Sequence, residues 1–286
     1  MSNLKLDSFV KDSVELPMSA QILPKLMAAL KDPNSSIDDV IKLLKLDISL
    51  SAQILRMASS SYYGTFAYSG GLESAIQRIG LSEVNRLVAI AASRGILDQP
   101  MKGYKIKEGE LAKDSLATAQ VMTALCKQGN RKKSDVYFTT GLLHGIGKVV
   151  IDQYLKARGL SLYGQHEMSM DSEPMVTPEM ERVILGFDHA QAGAALLENW
   201  KFPQVMTETI ARQFEPSMDD PDPRMSYCLD FANDFGPSFR ESEESANDFP
   251  VSEEFCSVSG LHQNEIRDAV AEAYVEFWEL SKMLTE

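Results

Sequence analysis

The chain has 286 residues, 44% of them hydrophobic and 24% charged, which is the balance of a soluble globular protein able to bury a sizeable core. Its net charge of −13 is lopsided: residues 215–286 hold 18 acidic side chains against four basic ones, whereas the first 214 hold 23 and 24. An acidic C-terminal third argues against nucleic acid as a general partner, and no apolar run approaches the roughly 18–20 residues of a membrane span.

The acidic region reads as a solvated face, or as a surface for a basic partner. The N-terminus lacks the basic flank and apolar run of a secretion signal, so the expected location is cytoplasmic. Cys126, Cys228 and Cys256 are far apart and odd in number, and read as free thiols in a reducing compartment.

Helical periodicity dominates and strand alternation is absent. Leu16-Pro17 leads into an amphipathic stretch, Ile22 to Leu30, which stops at Lys31-Asp32-Pro33-Asn34. Ser35 or Ser36 caps a second helix, Ser36 with Asp39 making a capping-box arrangement, with Val40, Ile41, Leu43, Leu44 and Leu46 inward. A third helix starts near Ser49. Ser59 to Gly71 is an aromatic, glycine-rich loop, read as packing more than recognition. The next helix, Leu72 to Ile79, ends at Gly80, and Ser82 is expected to cap its successor.

Asp98 to Gly109 carries Pro100, Gly103 and Gly109 with little periodicity. It is read as the boundary between two lobes: an N-terminal helical subdomain (1–98), a linker (99–109) and a helical subdomain with an acidic C-terminal extension (110–286). In the second lobe, Leu111 to Lys127 is a small-residue helix and Gly129 to Ser134 a basic turn. One continuous helix is expected from Asp135 to Leu155, then a long loop from Ser161 to Pro178. Glu179 to Leu185 is helical, Asp188 with Gln191 makes a second capping box for His189 to Trp200, and Pro203 opens the following helix. Tyr227 to Phe235 continues the bundle, Arg240 to Phe249 is an acidic, serine-rich loop, and Ile266 to Met283 is one amphipathic helix. No period of 20–50 residues repeats, so the fold class is all-α in two lobes.

Thr139 to Ile151 concentrates the chemistry, because His144 and Lys148 stand among apolar and tiny residues. A buried imidazole left unpaired costs about 1–3 kcal/mol, so His144 must be hydrogen-bonded or ligated. A His, Asp or Glu cluster drawn from several helices can hold divalent metals that generate hydroxide and stabilise phosphoryl charge. Such sites take an aspartate directly after the histidine, and here that residue is Gly145, which has no donor. The other histidines are His166, His189 and His262, and the available carboxylates are Asp114, Asp135, Asp188 and Asp230. Lys148 would oppose a cation beside His144 and attract an anion. No G-x-S-x-G elbow, glycine-rich phosphate loop or H-E-x-x-H helix is present. From the residues alone, His144 is expected to be held by hydrogen bonds in the core.

Several segments together resemble a known family. They are Leu16-Pro17, Pro24, Leu30-x-Asp32-Pro33, Ser36 and Leu46-Asp47-x-Ser49-Leu50-Ser51-Ala52-x-Ile54-Leu55-Arg56-x-Ala58. Ala75-Ile76-x-Arg78-Ile79-Gly80, Gly141-Leu142-Leu143-His144-x-Ile146-Gly147-Lys148 and Asp188-His189-Ala190-x-Ala192-Gly193-Ala194-x-Leu196 follow in the same order. The pattern, about residues 15–235, is similar to the HD-related output domain, HDOD. The resemblance implies the helical bundle of the HD phosphohydrolases with an added N-terminal helical subdomain, usually without their full metal-ligand set, in bacterial signalling.

Carried over by position, the family pattern puts the first HD histidine at about Asp114, beside Ser115, and the His-Asp pair at His144-Gly145. The next histidine is His189, the later paired histidines fall on Gln213-Phe214, and the final aspartate falls near Asn233 with Asp230 a turn away. His144, His189 and Asp114 are then vestigial ligand positions with no metal or other cofactor expected, and His144, Lys148, His189, Gln213 and Ser115 line a ligand or partner pocket. The expected function is a catalytically inactive signalling domain that binds proteins or a small anionic or nucleotide ligand. No receiver, kinase or cyclase segment is recognised, so its input is expected from proteins in trans. The alternatives are a divergent metal-dependent phosphohydrolase and a sensor of nucleotide second messengers.

Overall fold

The computed structural model describes residues 6, 24–29, 32, 36–45, 48–58, 71–129, 134–160, 162, 176–241 and 249–285. Among these there are helices, no strand, and one isolated bridge between Met101 and Ile106. The all-α expectation therefore holds. The Ser59–Gly70 part of the aromatic loop, the centre of the basic turn, most of the Ser161–Pro178 loop, residues 242–248 and His166 lie outside the described residues. Among the described residues no helix is long and apolar enough to cross a membrane.

After a helical stretch over 24–29, α1 (Ile37–Leu44) starts where the pattern placed it. The Ser36 hydroxyl accepts from the Asp39 N–H, and the Asp39 carboxylate accepts from the Ser36 N–H, which completes the capping box. Next come α2 (Ile48–Ala58) and α3 (Leu72–Ile79), which ends at Gly80 with φ +85°. Then α4 (Leu81–Leu97) begins directly at Gly80, not at a Ser82 cap: the Ser82 hydroxyl instead donates to Asp135, 2.8 Å away.

The helices that follow are organised around α5 (Glu110–Gln128), which packs against α6 (Ser134–Leu143) and the C-terminal α14 (Gln263–Thr285). Close approach needs small residues: a Cβ on Gly141 would lie 2.8 Å from the Ala119 Cα. Buried Arg86 ties α4 to this group. Its guanidinium donates to Gln120 at 2.9 Å, pairs with Glu83 at 3.3 Å and Glu276 at 3.2 Å, and lies over the Phe138 ring. A buried guanidinium is tolerable only when paired in this way. The segment between α4 and α5 is anchored too, with Met101 and Tyr104 buried and the Gly103 N–H donating to Asp152 at 2.6 Å.

The remaining described helices are α7 (Ile146–Arg158), α8 (Pro178–Leu185), α9 (His189–Asn199), α10 (Gln204–Ala211), α11 (Pro223–Asn233), α12 (Phe235–Glu241) and α13 (Glu253–Ser259). Two expectations are corrected. The single helix over Asp135–Leu155 is two helices broken at His144-Gly145, and the stretch Tyr227–Phe235 is split at Asp234 between α11 and α12. At the first break the His144 ring bonds back to the Gly141 carbonyl, and α7 restarts from Gly145 with no side-chain cap. Cys126 and Cys228 are buried and Cys256 half-buried, all as free thiols.

Candidate functional site

The break between α6 and α7 turns His144 toward a pocket of about 260 Å³. Its polar wall is His144, Lys148, His189, Gln213 and Asn233, and Phe214, Tyr104, Ile106, Val176, Pro178 and Asp234 complete it. A close helix contact holds the two histidines on one wall. A Cβ on Gly147 would lie 1.8 Å from the His189 carbonyl oxygen and 2.7 Å from the Gly193 nitrogen, so only glycine lets α7 lie against α9.

His189 opens α9 directly after the Asp188 cap. Asp188 accepts from the Gln191 N–H at 2.9 Å and pairs with Arg182 at 2.7 Å, which spends it on structure. The imidazole is anchored from beneath by Glu181, which is fully buried on α8. Glu181 accepts from the His189 N–H at 2.7 Å, from His189 Nδ1 at 2.8 Å and from the Tyr104 hydroxyl at 2.5 Å. Burial would raise the Glu181 carboxyl, but the hydrogen bonds it accepts from the His189 ring, the His189 N–H and Tyr104 outweigh it and hold it below its usual value. Burial first, then the Lys148 ammonium, pushes His189 below its usual value against the pull of Glu181. The pair is therefore a carboxylate and a neutral imidazole whose Nδ1–H donates. Phe214 stands edge-on to that ring, with centroids 5.1 Å apart.

His144 is oriented the same way by a different group. Its Nδ1 lies 2.6 Å from the Gly141 carbonyl, which can only accept, so Nδ1 carries the proton. Burial, opposed by this bond and aided by Lys148 and His189, lowers its pKa to about 3. Gln213, fully buried, donates from Nε2 to the His144 carbonyl at 3.3 Å and accepts from Asn233 Nδ2 at 3.4 Å. Lys148 is half-buried and lines the pocket; burial lowers its pKa, with Glu181 and Asp114 opposing.

Four of the five pocket residues expected from sequence, His144, Lys148, His189 and Gln213, thus converge. Ser115 does not join them. It is fully buried behind Gly145, its hydroxyl without a hydrogen-bond partner among the described residues. Asp114 is turned to Arg240, with N–O distances of 3.2 and 3.3 Å. Phe214 and Asn233, two of the positions carried over from the HD pattern, do face the pocket; Asp230 is exposed and does not line it. Sequence reasoning missed Tyr104 and Glu181. A carboxylate on the same helix face as buried Leu185, four positions on, was the available signal for Glu181; Tyr104 sat in a stretch with no periodicity to read.

The donor set does not suit a divalent cation. Two neutral imidazoles face the pocket, the one carboxylate in its lining is the exposed Asp234, and an ammonium shares it with them. A Cβ on Gly145 would lie 2.8 Å from Leu111 Cδ1 and 3.6 Å from Ser115 Oγ, so Leu111 fills the space an aspartate would need. Among the described residues no group of three or more His, Cys, Asp or Glu side chains is placed to hold a metal ion.

Comparison with known proteins agrees with this architecture. The HDOD domain model matches residues 16–216. A Treponema pallidum (strain Nichols) protein described as uncharacterized is 22% identical over 209 residues, which is 72% of this chain and 39% of that protein's length. Among solved structures, a Shewanella amazonensis SB2B protein provisionally named a phosphohydrolase is 21% identical with a TM-score of 0.69, over 99% of both chains. An HDOD domain protein of unknown function from Geobacter sulfurreducens is 19% identical with a TM-score of 0.69, over 98% of this chain and 93% of that one. A Marinobacter aquaeolei VT8 protein provisionally named for signal transduction is 20% identical with a TM-score of 0.66, over 100% of this chain and 62% of the other. These likenesses establish a shared fold, and with the match over residues 16–216 the conclusion is that the chain belongs to the HDOD domain family.

Proposed function

We propose that this chain is a bacterial, cytoplasmic regulatory domain that works by binding and does not hydrolyse phosphate esters. The observation that carries this reading is Gly145 with Leu111 packed into the space beside it, where an HD-type centre needs a carboxylate. Two further features support it. Asp114 is neutralised by Arg240, and Lys148 places a positive charge beside both imidazoles, which disfavours a second cation there. The name of the Marinobacter neighbour, a signal-transduction protein, points the same way. Input from signalling proteins in trans belongs to this proposal.

One observation favours a second reading, a divergent metal-dependent phosphohydrolase. Both imidazoles donate Nδ1–H to an acceptor behind them and turn Nε2 to the pocket, which is how metal-bound histidines are oriented. The discriminating assay is turnover of phosphodiesters and phosphomonoesters with Mn, Fe, Ni or Mg added. The binding reading expects wild type and His144→Ala to be equally inactive; metal-dependent turnover lost in His144→Ala would replace it with the second reading.

A further inference from the structure

Resting on that binding reading, we infer that the pocket takes a small anion flanked by hydroxyl groups: a phosphate or carboxylate carried on a polyol of sugar size. Two imidazole nitrogens and one cation line the pocket without a protein partner among the described residues, a third acceptor, Asn233 Oδ1, is buried in its wall, and the surrounding hydrogen bonds fix their polarity.

The Gly141 carbonyl and the Glu181 carboxylate can only accept, so both Nδ1 atoms carry protons and both Nε2 atoms present lone pairs. The same logic runs through the amides. The His144 carbonyl takes Gln213 Nε2–H, so Gln213 Oε1 faces Asn233 and takes its Nδ2–H, and Asn233 Oδ1 is left buried with no partner. His144 and His189 are 9% and 4% exposed, so bulk water does not compete freely for them. A buried acceptor with no donor is destabilising, so a ligand that brings donors recovers that loss on binding.

Lone pairs repel a bare anion, whereas Lys148 requires one. It is half-buried, it makes no hydrogen bond or ion pair among the described residues, and its charge reaches both imidazoles. The neighbouring carboxylates leave that charge available. Glu181 lies beneath the pocket, committed to His189 and Tyr104; Asp114 is held by Arg240; and Asp234 is exposed at the rim. A ligand that satisfies all four groups therefore carries a negative group for Lys148 and adjacent O–H donors for Nε2 of both histidines and Oδ1 of Asn233. At about 260 Å³ the space lies just below the roughly 300–1,000 Å³ of most small-molecule sites, which suits a pentose or hexose derivative and is short of a dinucleotide.

The test is calorimetric titration of the full chain, dialysed free of metal, with ribose 5-phosphate, gluconate, ribose and inorganic phosphate. At least one hydroxylated anion should bind, and whether it is the phosphate or the carboxylate identifies the anion; ribose and inorganic phosphate should bind at least tenfold more weakly. Lys148→Met should cost tenfold or more in affinity, Lys148→Arg should restore part of it, and Asn233→Ala should cost several-fold. In the unmodified protein the same ligand should shift the ring resonances of His144 and His189. No binding by either hydroxylated anion, ribose binding as tightly as its phosphate, or affinity indifferent to Lys148→Met would overturn the inference. A final titration with Mn added separates the two claims. Release of phosphate from ribose 5-phosphate would sink the non-hydrolytic reading and leave the ligand class standing, whereas absence of both binding and release would sink the ligand class alone.

Discussion

On one side of the pocket, Tyr104, Glu181 and His189 form a chain in which every inner polar atom is paired and one imidazole nitrogen is turned outward. On the other side, Leu111, Gly145 and Ser115 are packed shut, and Asp114 is neutralised by Arg240. The same helix break supplies residues to both: His144 opens to the pocket while Gly145, the next residue, backs onto Leu111. The difference teaches that orienting an imidazole and completing a metal centre are separate structural tasks. A scaffold can hold imidazoles as a metal centre would while the adjoining wall offers packing where that chemistry needs a charge.

The two glycines that flank Ile146 allow the sharpest test of this contrast. Gly147→Ala drives a Cβ into the His189 carbonyl, a backbone atom that cannot move without displacing α9. A loss of about 3 kcal/mol or more is expected by urea denaturation, even though alanine favours the helix by about 1 kcal/mol. A loss under about 1 kcal/mol would mean that α7 and α9 are not locked together.

The second prediction concerns the buried imidazole. His144 has its folded pKa lowered to about 3 from a usual 6.5, so between those values the unfolded chain binds the extra proton and stability falls with acid. Its contribution is complete above about pH 6.5 and is lost progressively as pH drops toward 3. Replacing it by Gln should therefore flatten the stability–pH curve, narrowing the gap to wild type by about 3 kcal/mol between pH 7 and pH 4. Parallel curves for the two proteins would contradict a neutral, buried His144.

Gly145→Ala is a milder change, because its Cβ meets only the tip of the Leu111 side chain and its backbone, at φ −85° and ψ 0°, accepts any residue. About 1 kcal/mol of destabilisation is expected, well below the effect at position 147. Smallest is Lys148→Met. Removing a half-buried cation from beside two imidazoles should change stability by less than about 1 kcal/mol while raising the His189 pKa, read by NMR titration of the ring. An unmoved His189 titration would separate Lys148 from the histidine wall.

The parts of this molecule legible in its sequence are the local ones. Ser36 with Asp39 and Asp188 with Gln191 each complete a capping box within four residues, so their spacing alone located two helix starts. The HDOD pattern placed Gln213 at the pocket, and aligned Phe214 and Asn233 with the family's ligand positions, because it carries long-range information that periodicity lacks. The break at His144-Gly145 was not legible, since Leu142, Leu143, Ile146, Val149 and Val150 continue one apolar pattern across it and the deciding bond, from the His144 ring to Gly141, leaves no compositional trace. Nor was the anchor beneath His189. Tyr104 meets Glu181 across 77 residues, from a stretch whose prolines and glycines read as a connector. Leu111 against Gly145 is likewise a meeting of two helices, invisible until they are packed.

The central claim, that this wall binds without a metal, meets its most direct test in elemental analysis of the full-length chain purified without chelator. The account predicts Mn, Fe, Ni, Zn and Mg each far below one ion per chain, and no change on His144→Ala. A stoichiometric ion that is retained by wild type and lost from both His144→Ala and His189→Ala would contradict it.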